Sequence, residues 1–253
     1  MPTEDDDAER APSGQPVYRY EDGPSGPEGF SHGDEGLIDA VSEHVERHVG
    51  PIESVFHEIV SPTVHIDIHR VAPSEDRPFT TLVTTGMAEL PMTVPDGLDE
   101  WAHAELVLLL PPDWPVDEES WKDERHYWPV RWMKKLARFP HEYSTWFCFG
   151  HSMPNGDPPE PFHESTKLCG WLLISPVAFE TEFAQLTRDD GPTISFWLML
   201  PLYGEEMDFK LRHETDALLE KLAGRGVEPV LDPQRVNAVT GRKPGRRWRL
   251  FGG

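Results

Sequence analysis

Histidine is the residue type that could most readily perform chemistry in this chain, because twelve of its 253 residues are histidines. His44 and His48 lie four residues apart, a spacing that places both imidazoles on one face of a helix. The zinc-hydrolase motif of that spacing needs a glutamate directly after the first histidine, whereas Glu46 comes second here. We therefore interpret His44 and His48 as a solvated pair on the polar side of a helix, and not as a metal site.

A second set of candidate metal ligands lies on a predicted strand. His65, Asp67 and His69 alternate along it, so their side chains share one face, as in facial metal sites. His141 and His151 form a further candidate pair. We interpret the strand residues as a polar outer face, and we keep a metal-dependent hydrolase as the lowest-ranked alternative function.

Other patterns of catalysis are weak or absent in the sequence. Cys148 and Cys169 are the only cysteines, and both stand among apolar residues, which raise a thiol pKa and disfavour a nucleophile. We interpret them as two free, buried thiols in a reducing compartment, with one disulfide as the alternative. The chain contains no glycine-rich phosphate loop, dinucleotide fingerprint or serine nucleophile elbow. We therefore predict no catalytic residue, no metal and no cofactor, and hence a protein that is not an enzyme.

The formal net charge of −22 limits the choice of partner. A surface this acidic repels phosphate, which argues against nucleic acid, and it attracts a basic protein surface. Solubility is the simpler explanation of the same charge. No apolar run approaches the roughly 18 residues that span a bilayer, and the first residues do not form a signal peptide. We therefore expect a cytoplasmic protein without membrane contact.

Composition divides the chain into three parts. Residues 1–36 are rich in acids, glycine and proline, which predicts a disordered acidic segment. Residues 37–233 carry the apolar periodicity of a folded domain. Residues 234–253 contain several arginines and no acid, which predicts a basic tail that could attract the acidic segment or an acidic partner.

The sequence pattern of this domain predicts a mixture of helices and strands. Alternation of apolar and polar residues predicts strands, as do runs of β-branched residues, whereas apolar residues three and four apart predict helices. Predicted helices are 35–49, a short turn at 54–60, 128–139 and 204–223; predicted strands are 64–69, 79–85, 105–110, 143–149, 171–174 and 194–200. We expect an α+β fold, with a mixed, largely antiparallel sheet packed with helices.

Five segments in series resemble the suppressor of fused (Sufu) domain family. They include a strand end with a glycine, a core strand that leaves through two prolines, a helix that starts at a Trp-Pro pair, a turn-rich loop and the start of the last helix. In order, the segments are Thr84–Met92, Ala104–Trp114, Trp128–Arg138, Gly150–Gly156 and Leu200–Glu206. The resemblance covers about residues 40–233 and implies the fold of the amino-terminal lobe of suppressor of fused.

The resemblance implies a protein-binding function. Animal members of the family hold a transcription factor through a short extended peptide between two lobes, and this chain is similar only to the first lobe. Those members use an aromatic residue where Phe139 stands, with a hydroxyl that Phe139 lacks, and an acidic residue where His151 stands. Both differences argue against the same ligand.

Bacterial single-lobe members are more similar to this chain, especially across Gly150–Gly156, and they are proposed to be immunity proteins that neutralise polymorphic toxins. The acidic composition agrees with a basic toxin as partner. We expect Phe139, His151, Ser152 and Asn155 to contact the partner, with Trp114 and Tyr203 as secondary candidates. The alternative function from the resemblance is a peptide-binding regulatory adaptor.

Overall fold

One eight-stranded sheet organises the protein. The computed structural model describes residues 9–20, 35–58, 64–188 and 191–242. The strands are β1 Ile52–Phe56, β2 Asp67–Val71, β3 Thr80–Thr85, β4 Ala104–Leu110, β5 Ser152–Pro154, β6 Leu168–Ile174, β7 Gln185–Leu186 and β8 Ile194–Tyr203. The strand order is β1-β2-β3-β4-β8-β6-β5, with β7 also paired to β8. Among these strands, β4 and β8 pair in parallel and the other pairs are antiparallel.

Helices cover both faces of this sheet. The helices are α1 Glu35–His48, α2 Glu124–Glu142 and α3 Gly204–Ala223. The apolar side of α2 packs in one core cluster, whereas α1 and α3 share a second cluster. The two clusters meet opposite faces of β4, because Leu106 and Leu108 belong to the first and Val107 and Leu109 to the second. The mixed, largely antiparallel α+β fold expected from the sequence is therefore confirmed, and β4 is buried on both faces, as its apolar run predicted.

Helix α2 begins earlier than the sequence indicated. We predicted its start at Trp128, with Pro129 in the first turn. It starts instead at Glu124, where the Asp123 side chain accepts a hydrogen bond of 2.9 Å from Arg125 N and caps the first turn. Pro129 consequently lies inside the helix, within the part that packs in the core.

Three predicted elements differ from the structure. The helical turn at 54–60 is wrong, since residues 52–56 form β1. The strand at 143–149 is wrong as well, because that stretch contains turns and irregular backbone. The loop predicted at 150–156 contains the short strand β5. The apolar residues of this stretch led to the strand prediction, because an apolar run indicates burial. Phe147 is indeed buried, but its backbone does not belong to a strand.

The described residues beyond the predicted domain boundaries pack on the domain. In the amino-terminal segment, Ser13 N donates a hydrogen bond of 3.0 Å to Leu211 O on α3. In the carboxy-terminal segment, Arg235 and Asn237 are buried. The predicted acidic and basic ends, 1–36 and 234–253, lie partly outside the described residues. None of the helices in the described ranges is both long and apolar enough to cross a membrane.

Candidate functional site

The structure places the candidate metal ligands on α1 in a different environment from the one we predicted. His44 is buried between the rings of Phe183 and Phe196, at centroid distances of 5.5 and 5.0 Å. Its Nε2 lies 3.1 Å from Phe183 O, and burial lowers its pKa. The prediction that His44 lies on a solvated face is therefore wrong. His48, by contrast, pairs with the Glu180 carboxylate.

The predicted polar face of β2 is also wrong for two of its three residues. Asp67 and His69 are buried, and burial lowers the pKa of His69 to about 4. The Asp67 carboxylate lies 2.8 Å from His57 Nδ1 and 3.0 Å from His65 Nε2. Across the described ranges, no group of three or more histidines, cysteines and acids has the arrangement that a metal ion requires.

The remaining candidate pair, His141 and His151, forms hydrogen bonds with different parts of the fold. His141 Nε2 lies 2.9 Å from Met87 O, whereas His151 Nδ1 lies 3.2 Å from Trp146 O. Both imidazoles are thus bound to backbone carbonyls in different parts of the fold.

A groove lies at the β5 edge of the sheet. Its volume is about 1100 Å³, and its walls come from α2, α3, the chain from Trp146 to Pro159 and the segment 15–20. Helices α2 and α3 pack on opposite faces of the sheet, so the groove between them passes the sheet edge. Strand β5 is the last strand of the sheet and pairs, among the described residues, only with β6.

Stacked rings line the α2 side of this groove. Phe139 stacks on Tyr143 at 4.4 Å and on Phe147 at 5.8 Å between ring centroids. Tyr20 of the amino-terminal segment meets Phe139 edge-on at 4.9 Å. The Tyr20 hydroxyl lies 2.6 Å from Thr145 Oγ1. The ring of Phe139 is therefore covered by a residue of its own chain, and a partner reaches it only after Tyr20 moves.

Beyond the rings, the groove combines apolar and polar groups. His151 meets Trp146 edge-on at 4.8 Å, and burial lowers the His151 pKa to about 4. Phe149 is 41% exposed, which is unusual for a large apolar side chain. Gly150, between these two residues, has φ of 83°, and a Cβ there would lie 2.9 Å from Thr215 Oγ1 of α3. Glycine therefore allows the loop to approach α3.

The polar centre of the groove is a pair of side chains from β5 and α3. Lys210 Nζ donates a hydrogen bond of 3.1 Å to Ser152 Oγ. Burial lowers the pKa of Lys210 to about 8. Four exposed acids belong to the same lining, Asp157, Asp208, Glu214 and Asp216, together with two exposed bases, Arg19 and Lys135. Arg19 pairs with Asp157 at 2.8 Å. The rim of the groove is thus acidic on balance, and a buried amine lies inside it.

Three of the six residues predicted as partner contacts meet in this groove. Phe139, His151 and Ser152 all belong to its lining. Asn155 instead holds the neighbouring turn, because its Nδ2 donates to Glu160 O at 2.8 Å. Trp114 lies near the start of α2, where its Nε1 donates to His126 O at 3.0 Å.

Tyr203 does not belong to the groove lining either. Its ring is buried at the junction of β8 and α3, and its hydroxyl donates a hydrogen bond of 2.7 Å to Arg235 O. In this position Tyr203 stabilises the start of α3 and presents no surface to a partner.

Sequence reasoning missed Lys210, Phe149 and Tyr20. Lys210 follows Met207 by three residues, so it falls on the buried stripe of α3, and a lysine on such a stripe was the available signal. Phe149 gave no signal, because its neighbours form an apolar run that predicts burial. Tyr20 stands in a segment whose composition predicts disorder.

The contact of Tyr20 with the groove yields a testable prediction. Two ring contacts and one hydrogen bond hold Tyr20, so we expect Tyr20→Ala to accelerate amide exchange across residues 9–20 and 139–153 by roughly tenfold or more. Hydrogen exchange with mass spectrometry measures this. Tyr18→Ala is the control, since Tyr18 is 47% exposed. Equal exchange in both variants would show that Tyr20 does not hold the segment in the groove.

Comparison with known proteins places this architecture in one family. The family model of suppressor of fused protein (SUFU) matches residues 62–236. This match includes β2 to α3 and all six predicted contact residues. The chain therefore belongs to the suppressor of fused protein family. No curated protein matches the sequence at a significant level.

Solved structures with the same fold include three suppressor of fused proteins. The first is described as a suppressor of fused homologue of Neisseria gonorrhoeae; it has a TM-score of 0.58 and 17% identity, and the match covers 81% of this chain and 98% of that one. For a Sufu–Fu complex, the TM-score is 0.53 and the identity is 13%, and the match covers 85% of this chain and 93% of that one. For Drosophila Suppressor of Fused, the TM-score is 0.50 and the identity is 13%, and the match covers 80% of this chain and 50% of that one.

Proposed function

We propose that this chain is a non-catalytic protein-binding domain that receives an extended segment of a partner protein in the groove at the β5 edge. The observation that carries the proposal is the position of the groove beside an edge strand. An unpaired strand edge offers backbone hydrogen bonds to an added strand, and adjacent pockets select its side chains. The solved Sufu–Fu complex gives independent support for protein binding within the family.

The partner is a polymorphic toxin in this proposal, and the chain is its immunity protein in the cytoplasm. The resemblance to bacterial single-lobe family members supports this assignment. So does charge, since exposed acids outnumber exposed bases by four to two in the groove lining of a chain whose formal net charge is −22. Opposite charge on a basic toxin would speed the encounter and help to select the partner.

Capture of the partner tests the proposal. The tagged full chain is purified from its native cells in about 0.1 M salt, where surface charge pairs are only partly screened, and bound proteins are identified by mass spectrometry. We expect a stoichiometric basic protein, and we expect Phe149→Asp to reduce its recovery about tenfold or more, because the substitution places a charge in the groove.

Val177→Asp is the matched control, because Val177 is also apolar and 67% exposed but lies outside the groove lining. Its capture should equal that of the unaltered chain. Loss of the partner in both variants, or retention in both, would contradict binding at the groove.

Co-expression separates the toxin from the alternative partner. An immunity protein should restore growth to cells that express the captured partner, and Phe149→Asp should abolish that protection. A captured partner that is harmless when expressed alone would instead favour the peptide-binding regulatory adaptor, which also suits the edge of β5, since no other described strand pairs with that edge.

A further inference from the structure

The buried lysine of the groove lacks a counterion among the described residues. Lys210 is only 6% exposed, and its ammonium has one hydrogen-bond partner there, the Ser152 hydroxyl at 3.1 Å. An ammonium group carries three donors. No acid in the described ranges lies within 4.0 Å of Lys210 Nζ, although salt bridges form elsewhere on the chain.

Groups near Lys210 do not offset its charge. Cys148 and His151 are the titratable groups whose charges act on Lys210 or respond to it. Burial raises the pKa of Cys148 to about 11 and lowers that of His151 to about 4, so both are neutral at pH 7. The pKa of Lys210, near 8, leaves the amine mainly protonated at that pH.

A buried charge without a counterion is unfavourable, and a ligand of opposite charge that binds to it removes this cost. Lys210 and Ser152 both line the groove, so a ligand in the groove can reach them. A carboxylate suits this pair best, because it accepts hydrogen bonds from an ammonium and from a hydroxyl at once. A carboxylate within a longer segment gains further contacts with the rest of the groove lining.

We propose that Lys210 and Ser152 form a carboxylate-binding site, which receives an acidic side chain or the terminal carboxylate of the partner segment. This inference rests on the proposed function only for the source of the carboxylate. It makes the groove selective, since a partner with basic residues against the rim must also place one acid at the centre. Neutral peptides of the same shape are bound less well.

Small carboxylates test the site without any partner. The full chain is labelled with ¹³C-lysine, and the pKa of Lys210 is measured by NMR with added acetate, acetamide or chloride at constant ionic strength. We expect acetate alone to raise that pKa towards the ordinary value of lysine, and Ser152→Ala to weaken the effect. An equal change with acetamide or chloride, or no change with acetate, would overturn the inference.

Two larger probes distinguish the sources of the carboxylate. N-acetylglycine represents a chain terminus, and the α-amide of N-acetylglutamate represents an acidic side chain; the tighter of the two identifies the source. Lys210→Met should weaken that probe about tenfold or more, whereas Lys167→Met, at an exposed lysine, should not. If Lys210→Met fails to fold, the titration of the unaltered chain decides. Toxin capture that persists unchanged in a folded Lys210→Met variant would contradict this site and leave the proposed function standing.

Discussion

Glu105→Ala is expected to lower the free energy of unfolding by about 3–5 kcal/mol, because two buried backbone donors lose their acceptor. Glu105 Oε1 accepts hydrogen bonds of 3.0 Å from both Gly86 N and Ala88 N. Its Oε2 accepts one of 2.6 Å from the Thr84 hydroxyl. The carboxyl group thereby holds the turn after β3, in which Gly86 has φ of 106° and passes so close to His65 O that a Cβ would lie 1.8 Å away.

The same residue makes stability depend on pH. Burial raises the pKa of Glu105 from its usual value near 4.5 to about 8. The unfolded chain therefore loses this proton first, so rising pH between these two values favours unfolding. Glu105→Gln resembles the protonated form. We expect it to be close to the unaltered chain in stability at pH 5 and more stable than it at pH 9.

Chemical denaturation followed by tryptophan fluorescence measures both effects. Glu100→Ala is the control, because Glu100 is exposed and its substitution should change stability by less than about 0.5 kcal/mol. A loss below about 1 kcal/mol for Glu105→Ala would mean that water or other acceptors satisfy Gly86 N and Ala88 N. A pH-independent difference between Glu105→Gln and the unaltered chain would contradict the raised pKa.

Much of the fold could be predicted from local pattern. Strand β4 is a continuous apolar run that ends before a proline, and helix α3 has a stripe of apolar residues and ends before a glycine, so their predicted positions agree closely with the structure. The strand at 143–149 was wrong because its apolar run is buried by long-range ring contacts, such as Phe139 on Phe147. The pattern of apolar residues indicates which side chains are buried, but it does not determine the backbone conformation that buries them.

The candidate site depended on resemblance and on contacts far apart in sequence. Phe139, His151 and Ser152 were predicted together only because the family motifs contain them. Lys210 escaped prediction because a lysine on an amphipathic helix normally faces water. It is buried where α3 packs against β6 and β8, and it reaches Ser152 of β5. His44 was misplaced for the same reason, since Phe183, which covers it, is distant in the chain.

The start of α3, which carries Lys210 and one wall of the groove, is fixed by a buried ion pair. Glu206 is fully buried, and it accepts hydrogen bonds from Arg235 Nη1 at 2.7 Å, from Tyr203 N at 3.0 Å and from Ala238 N at 2.7 Å. Arg235 also donates to Pro201 O at 2.7 Å, so it joins the end of β8 to the chain after α3. The guanidinium lies over the Tyr203 ring, 4.8 Å from its centroid.

Arg235→Met is therefore expected to lower the free energy of unfolding by about 3–5 kcal/mol, since it leaves the Glu206 charge buried without a cation. Glu206→Gln in the same chain should recover part of that loss, because a neutral amide no longer needs the guanidinium while its oxygen still accepts from the backbone. Denaturation of the two single variants and the double variant measures the coupling, with Arg212→Met at an exposed position as control. Additive losses would mean that the two side chains stabilise α3 independently. A coupled loss, with Lys210 then showing the pKa of a solvated lysine in Arg235→Met, would establish that this pair positions the amine in the groove.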